Sequence, residues 1–468
     1  MRSPRSASRG GSRPSGLAER VNLAQLLVDH PFADSEPLLC TIDGSVTAGE
    51  ARSEALSVFG RLKHLGLEHG QAVAVQLPND PSAVTAMFGT WLAGGVLVPL
   101  NVRQTEAEVE AAMDETSPAV FLGGDGVRAL PGTARVYEPD TAFVTWTSGT
   151  TGVPNPILHT HSGYFEILDR VLGTIRSDPS KRPTPNLIPV SLALNAGIYN
   201  VLFGLRAGAA IVIMERFDTA DFAELVRRYE IRSTVLPPAA ITMLADDDSV
   251  TDLSPLRYVR SITAPLSPLA ARRFHDKFGV TVLNGYGQAE IGEVIGWTAA
   301  DAREHPEKLG AVGRAHPGVD IKVVGDGELL VRPPRTAAGL DPGRVDADGF
   351  VHTGDLARID EDGFVWIEGR IGDVINRGGN KVFPDHVEEV LRLSQAVRDV
   401  AVVGVADERL GEVPVAFVVG DTDASALEAL CREHLVAYKV PAAFVFVDEL
   451  PRSEVGKVLR RELMARYR

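Results

Sequence analysis

The sequence predicts an α/β fold with two unequal lobes. The N-terminal lobe is large, with helix-flanked sheets and a β-rich section, and the C-terminal lobe is a small, mobile α+β unit. Three observations lead to this prediction. The chain has 468 residues, more than a single hydrophobic core usually organises. Helical and strand patterns alternate along it, and residues 369–373 combine two glycines with two charged residues, as a hinge does.

The alternation begins near residue 50 and has the rhythm of βαβ units. The predicted elements are, in order, a helix at 51–65, a strand at 72–77, a helix at 83–92, a strand at 96–98, a strand at 208–214, a helix at 219–229 and a strand at 233–236. Pro237 and Pro238 end the last of these strands. Such units predict parallel sheets that are flanked by helices.

The β-rich section and the small lobe follow. Residues 320–324 and 327–331 resemble a hairpin that turns at Gly325 and Asp326. The elements predicted for the small lobe are a strand at 374–375, a helix at 385–393, a strand at 399–405, a helix at 425–435 and a strand at 443–447. We therefore expect a disordered tail at 1–17, an N-terminal domain at 18–370 and a lid domain at 371–468.

Composition excludes several classes of protein. A net charge of -15 argues against a nucleic-acid binder, which needs a basic face. The only cysteines, Cys40 and Cys431, lie far apart, so we expect no disulfide framework, no cysteine-rich zinc site and a reducing compartment. No run reaches the roughly 18 apolar residues of a membrane span. Residues 1–16 hold four arginines and no acid, as transit peptides do, but their amphipathic pattern is poor, and we expect a cytoplasmic protein.

A run of four hydroxyls and two glycines follows a predicted buried strand at 142–146. It consists of Thr147, Ser148, Gly149, Thr150, Thr151 and Gly152. Glycine frees the backbone so that successive N–H groups can point at one anion, which makes the run a candidate phosphate loop. It is not a Walker loop, because no GxxxxGK[ST] pattern occurs. Taken alone, such a run is also typical of a solvated turn.

Four further segments accompany this loop in a fixed order. They are NGYGQAE at 284–290, HTGD at 352–355, GR at 369–370 with RGGNKVFP at 377–384, and PRSEVGK at 451–457. With these five segments in register, residues 18–468 resemble the adenylate-forming (ANL) superfamily of acyl-CoA synthetases, luciferases and peptide-synthetase adenylation domains. The resemblance implies that a carboxylate attacks the α-phosphate of ATP with release of pyrophosphate. The acyl adenylate is then passed to a thiol.

The reaction needs a cation near the transferring oxygens and a metal on the polyphosphate. Lys457 is the candidate catalytic cation, which the resemblance places against the carboxylate and the α-phosphate; its alternative is a solvated lysine. Glu290 is the candidate catalytic Mg²⁺ ligand, since magnesium favours one or two carboxylates plus phosphate oxygens. Its alternative is a surface acid.

The remaining candidates surround the nucleotide and the thiol. Thr147 to Gly152 would bind the β- and γ-phosphates, and Tyr286 would stack on adenine between flanking glycines, unless it is a core aromatic. Asp355 and Arg370 would hold the ribose, although Arg370 could instead form a salt bridge between the lobes. The other candidates are Asn284, Gly285 and Gly287 for the nucleotide, and Arg377, Gly378 and Gly379 for the pantetheine of coenzyme A.

The chain departs from the family pattern at four positions. Asn155 and Pro156 replace the usual lysine and glycine after the loop, Ala289 replaces a threonine, and Gly372 replaces a charged hinge residue. These changes keep open a second hypothesis, a nucleotide- or acyl-binding sensor without activity. His159 and His161 follow the loop, and we expect them to cap local structure.

The stretch 187–197 lies where relatives carry part of the acyl site, and here it is aliphatic. With no aromatic residue or histidine near Leu194, it predicts a fatty or other apolar acid, aliphatic or aryl, and not an amino acid. No carrier domain follows Lys457, so coenzyme A is the expected acceptor. The alternatives are a ligase that loads a carrier protein and one that activates an unusual oxyanion.

Overall fold

The structure is a computed structural model that describes residues 21–147, 155–173, 182–261, 266, 268–288, 290–325, 327–336, 340–452 and 458–467. Its α-helices are α1 Gln25–Val28, α2 Ala48–His64, α3 Pro81–Leu92, α4 Glu106–Thr116, α5 His161–Gly173, α6 Asn195–Arg206, α7 Thr219–Arg228, α8 Pro238–Asp246, α9 Pro268–Phe278, α10 Ala299–Glu304, α11 Pro384–Leu391, α12 Ala424–His434 and α13 Arg460–Arg466.

The strands alternate with these helices in the first half of the chain and dominate the second half. They are β1 Pro37–Cys40, β2 Ser45–Thr47, β3 Ala72–Gln76, β4 Val96–Pro99, β5 Val120–Gly123, β6 Gly126–Ala129, β7 Thr141–Thr147, β8 Asn155–Thr160, β9 Asn186–Ile188, β10 Ile211–Ile213, β11 Ser233–Leu236, β12 Tyr258–Ser261, β13 Thr281–Asn284, β14 Tyr286–Gln288, β15 Gly292–Gly296, β16 Arg314–Ala315, β17 Asp320–Val324, β18 Glu328–Arg332, β19 Val351–Ile359, β20 Val365–Arg370, β21 Ile375–Arg377, β22 Asn380–Val382, β23 Val397–Asp407, β24 Gly411–Gly420 and β25 Ala443–Phe446.

Parallel strands form the sheets of the first half, as the βαβ rhythm predicts. One sheet has the order β6-β5-β3-β4-β7-β8, in which only the two edge strands are antiparallel. A second has the order β2-β1-β10-β9, and a third, β11-β12-β13, is wholly parallel. Thr234 on β11 donates a hydrogen bond to the carbonyl of Leu187 on β9 at 2.8 Å and so links the second and third sheets.

Antiparallel sheets occupy the second half. The order β17-β18-β19-β20 contains the predicted hairpin, where Val324 pairs with Glu328 and Gly325 has a φ of 53°. The strands β14, β15 and β16 form a smaller sheet, and β22-β21-β24-β23 with β25 forms the sheet of the C-terminal part. An α/β fold with a β-rich section and an α+β C-terminal part is therefore confirmed.

Strand β24 has no counterpart in the sequence analysis. Val415 to Val418 are buried on both faces of this strand, so the residues do not alternate between apolar and polar. Pro414 also argues against a central strand, because proline cannot donate to the ladder. The structure nevertheless pairs Pro414 with Gly404 in β23, at the end of the strand nearest the turn at Gly411.

Both cysteines are buried and free. Within the described residues, no helix is long and apolar enough to cross a membrane.

His159 and His161 lie in the core of the N-terminal half. His159 on β8 stacks on Phe143 and shares a hydrogen bond of 2.7 Å between its Nε2 and Thr145 Oγ1. His161 Nδ1 accepts a hydrogen bond from the amide of Leu23 at 3.2 Å. Burial lowers the pKa of His159 to about 3 and that of His161 to about 4. The expectation that both cap local structure is wrong, because their partners are distant in sequence.

These histidines are expected to make the protein sensitive to acid. Because their pKa values in the folded state lie below the ordinary value of 6.5, the unfolded chain binds more protons below that pH, and stability falls as the pH drops toward 4. Each histidine should lower the free energy of unfolding by about 2 kcal/mol between pH 7.5 and pH 5. Urea unfolding at both pH values measures this difference in the free energy of unfolding, and the difference should be smaller in His159→Gln. An unchanged free energy of unfolding would contradict this account.

Candidate active site

The predicted phosphate loop begins at the end of β7. Thr147 is the last residue of this strand, and its backbone pairs with Asn155, the first residue of β8. In α/β sheets, ligands bind beyond the carboxyl ends of the strands, so the position agrees with the predicted role. The remaining loop residues, Ser148, Gly149, Thr150, Thr151 and Gly152, lie outside the described residues, as do Lys457 and Ala289.

Asp355 is the centre of a hydrogen-bond network that joins three of the predicted segments. This buried carboxylate on β19 accepts from Arg370 Nε at 2.7 Å through Oδ1 and from the Tyr286 hydroxyl at 2.6 Å through Oδ2. Gln288 Nε2 donates to the same Oδ2 at 3.0 Å. The pairing of Asp355 with Arg370 across β19 and β20 fixes the ion pair in the register of the sheet.

The electrostatic environment of this network keeps Tyr286 and Arg370 protonated. Burial, and then the charge of Asp355, raise the pKa of Tyr286 well above its ordinary value, so the hydroxyl stays a donor. Burial alone would lower the pKa of Arg370, but Asp355 prevails and raises it. Asp355 therefore faces permanent donors, and a carboxylate with several lone pairs can still accept from a ligand hydroxyl.

Main-chain contacts hold the NGYGQAE segment against the neighbouring strands. Asn284 ends β13 beside Ser261, and the amide of Gly285 donates to the Ser261 carbonyl at 3.0 Å. A Cβ atom at Gly287 would lie 2.2 Å from the Gly292 carbonyl oxygen on β15. Glycine is therefore needed at position 287 for the close approach of β14 and β15, a reason that the sequence analysis did not identify.

Glu290 is paired with an arginine that the sequence analysis missed. Arg344 Nη1 lies 3.1 Å from Glu290 Oε1, and Arg344 Nη2 donates to Gln288 Oε1 at 2.8 Å. The Glu290 side chain is only 13% exposed, so it is not a surface acid. No sequence signal marks Arg344, since it lies 54 positions from Glu290 in a segment without a motif.

The residues near Glu290 fit a metal ion that arrives with a nucleotide. Within the described residues, no group of three or more His, Cys, Asp or Glu side chains could hold a metal by itself. Mg²⁺ commonly takes one or two carboxylates and completes its shell with phosphate oxygens and water. The single carboxylate of Glu290 is consistent with that coordination.

Aromatic side chains surround the start of α6, directly after Leu194. The Tyr164 hydroxyl of α5 donates to Asn195 Oδ1, and the Tyr164 ring lies 6.5 Å from that of Tyr199 and 5.5 Å from that of His159. The expectation that no aromatic residue or histidine lies near this stretch is wrong. Tyr164 reaches it from α5, and His159 packs behind that ring.

A half-buried charged pair lies next to Tyr199. Arg260 on β12 pairs with Glu293 on β15, and His316 Nε2 lies 3.4 Å from the same carboxylate. Burial alone would raise the pKa of Glu293, but Arg260 and His316 lower it to about 2. Glu293 is aligned with Gly287 across β14 and β15, so the pair adjoins the predicted nucleotide segment. The surroundings of the acyl stretch are therefore aromatic and partly charged, not purely aliphatic.

Arg377, Gly378 and Gly379 form a tight turn in the C-terminal sheet. Arg377 Nη1 donates to the carbonyls of Tyr438 and Val440 at 2.9 Å each. Gly378 and Gly379 have φ values of 58° and 88°, which favour glycine. Their contact with pantetheine stays a prediction, as do the boundaries of the two domains.

Comparison with known proteins identifies the family of this chain. The family model for the AMP-binding enzyme matches residues 32–136 and 126–340. The chain belongs to the AMP-binding enzyme family. A second model, the AMP-binding enzyme C-terminal domain, matches residues 386–457. The resemblance to adenylate-forming enzymes and the prediction of an AMP-forming acid–thiol ligase are confirmed.

Several members of the AMP-binding family are similar over nearly the whole chain. A 4-coumarate–CoA ligase of Oryza sativa subsp. japonica is 29% identical over 97% of this chain and 98% of that protein. A long-chain-fatty-acid–CoA ligase of Mycobacterium tuberculosis is 27% identical over 87% and 90%. The ATP-bound structure of MatB from Rhodopseudomonas palustris has a TM-score of 0.84 and 26% identity, and the match covers 96% of this chain and 99% of that one.

Proposed function

We propose that this enzyme activates an apolar carboxylic acid as its acyl adenylate and transfers the acyl group to coenzyme A. The observation that carries the proposal is the network in which Tyr286 and Arg370 converge on Asp355, in a chain of the AMP-binding family. That network offers a carboxylate for the ribose hydroxyls and an aromatic ring for the base.

The first step joins the acid to AMP. An oxygen of the substrate carboxylate attacks the α-phosphorus of ATP, and the bond to the bridging oxygen breaks, so pyrophosphate leaves. Asp355 and Arg370 would hold the ribose, Thr147 to Gly152 would donate to the β- and γ-phosphates, and Lys457 would neutralise charge at the α-phosphate. Mg²⁺, held by Glu290 and the polyphosphate, would neutralise further negative charge.

The second step passes the acyl group to sulfur. The thiolate of coenzyme A attacks the acyl carbon, the bond from that carbon to the AMP oxygen breaks, and AMP leaves. We propose that the lobe from residue 371 onward turns between the two steps, with Gly372 in the hinge. This turn would withdraw Lys457 and bring Arg377, Gly378 and Gly379 to the pantetheine passage.

An aryl acid is the substrate class that we favour among apolar acids. The rings of Tyr164 and Tyr199 lie at the acyl stretch, and flat rings pack well against aromatic side chains. The curated relatives include both a 4-coumarate–CoA ligase and a long-chain-fatty-acid–CoA ligase, which supports an aryl or a fatty acid.

A panel of acids tests this function. Purified enzyme is mixed with Mg²⁺, ATP and single aryl, fatty or amino acids, and AMP release is measured with coenzyme A, with a holo carrier protein or with neither. We expect acid-dependent AMP release that is fastest with an aryl acid and coenzyme A and is accompanied by thioester. Thioester on the carrier protein alone would identify the alternative acceptor. Tight AMP binding without any AMP production would support the sensor hypothesis instead.

A further inference from the structure

Arg344 lies between the predicted metal ligand and the strand that carries Asp355. Its Nε and Nη2 donate to the carbonyl of His352 on β19 at 3.1 and 3.0 Å. Within the part of the chain that the structure describes, its other side-chain hydrogen bonds go to Gln288 and Glu290. The hydrogen bonds to His352 anchor the arginine to strand β19. The bonds to Gln288 and Glu290 direct its charge toward the NGYGQAE segment.

The contacts of Arg344 connect two ends of the proposed ATP site. Gln288 accepts from Arg344 through Oε1 and donates to Asp355 through Nε2. A continuous chain of hydrogen bonds thus runs from Glu290, at the predicted metal end, to Asp355, at the predicted ribose end. Among the described residues, no other cationic side chain pairs with Glu290.

Charge determines what this arrangement can bind. A guanidinium beside Glu290 neutralises the carboxylate and repels a free divalent cation. A nucleotide polyphosphate has more negative charge than one Mg²⁺ neutralises, so it can satisfy both the metal and the guanidinium. Arginine also matches phosphate oxygens with two parallel donors. The site around Glu290 therefore favours the Mg–ATP complex over the metal alone.

We propose that Arg344 is a polyphosphate-binding residue of this enzyme. Without nucleotide it holds Glu290 and keeps free divalent cations away. When the metal arrives with ATP, Glu290 turns to the metal and Arg344 donates to the polyphosphate oxygens. This inference rests on the proposed function, since it requires ATP to bind at the Asp355 site.

Two variants and a matched control test the proposal. Arg344→Gln removes the charge, and Arg344→Lys keeps it without the paired donors. The control is Arg332→Gln, because Arg332 on the neighbouring β18 also pairs with a carboxylate, Asp320 at 2.7 Å. Calorimetry measures the binding of Mg–ATP, and electron paramagnetic resonance measures the binding of Mn²⁺ to the enzyme without nucleotide. Thermal unfolding verifies that each variant is folded.

We expect Arg344→Gln to bind Mg–ATP roughly 10- to 100-fold more weakly than the wild type, the usual effect of losing a charge-assisted hydrogen bond. It should bind Mn²⁺ at least about 10-fold more tightly, because a repelling charge is gone. The affinities of Arg344→Lys for both ligands should lie between those of the wild type and Arg344→Gln. Arg332→Gln should bind both ligands as the wild type does. If Arg344→Gln binds both ligands as the wild type does, the proposal is overturned. If the wild type itself binds no Mg–ATP, the proposed function fails instead.

Discussion

Replacing Lys457 with alanine is expected to slow acid-dependent ATP/pyrophosphate exchange by on the order of 10²- to 10³-fold, the usual effect of removing one preorganised donor from a developing charge. The second step should continue, because the thiolate attacks the acyl carbon of an adenylate that already exists. Supplied acyl adenylate and coenzyme A should therefore still give thioester at a rate close to that of the wild type. Both half-reactions are measured on the same preparation.

Lys439 provides the control for this experiment. It is another lysine of the C-terminal part, in the turn Ala437–Lys439, and Lys439→Ala should leave both half-reactions unchanged. Equal loss of the two steps in Lys457→Ala would contradict a role confined to adenylation. The prediction rests on the PRSEVGK motif and on the match to the C-terminal family model, which extends to residue 457.

Replacing Asp355 with asparagine is the second change with a large expected effect. Asparagine keeps the shape but loses the charge that Arg370 faces, and its NH₂ group opposes the donors that meet the carboxylate. Loss of charge-assisted hydrogen bonds to the ribose should lower kcat/KM for ATP by roughly 100-fold. Steady-state kinetics with varied ATP, and calorimetric titration with ATP, measure the effect.

Asp320→Asn is the matched control, since Asp320 is also a strand carboxylate that pairs with an arginine but is exposed. It should bind ATP as the wild type does. Unchanged ATP affinity in Asp355→Asn would show that ATP does not bind through this network, and the assignment of the site would be wrong.

Local sequence patterns explain why the fold class and some of its elements could be predicted. The helix predicted at 51–65 is Ala48–His64, which buries one face, and the strand predicted at 72–77 is Ala72–Gln76, a short apolar run that is buried on both faces. Strand Gly411–Gly420 is likewise buried on both faces, but Pro414 argues against a central strand, and this strand was missed.

The site was predicted only as far as motifs define it. Tyr286, Asp355 and Arg370 were proposed from a family resemblance, and the structure brings them together in one network. Arg344 could not be found in this way, because a contact across 54 positions depends on the tertiary fold. The aromatic side chains near Leu194 were missed for the same reason, since Tyr164 lies on α5 and contacts Asn195 only in the folded chain.

The most direct test of the central claim follows one oxygen atom through the reaction. The preferred acid is labelled with ¹⁸O in its carboxylate and converted with ATP and coenzyme A, and the AMP is analysed by mass spectrometry. Because the attacking carboxylate oxygen stays on phosphorus when the thiolate displaces AMP, the account predicts one ¹⁸O atom in the AMP. Unlabelled AMP, or labelled phosphate formed together with ADP, would contradict adenylation of the acid.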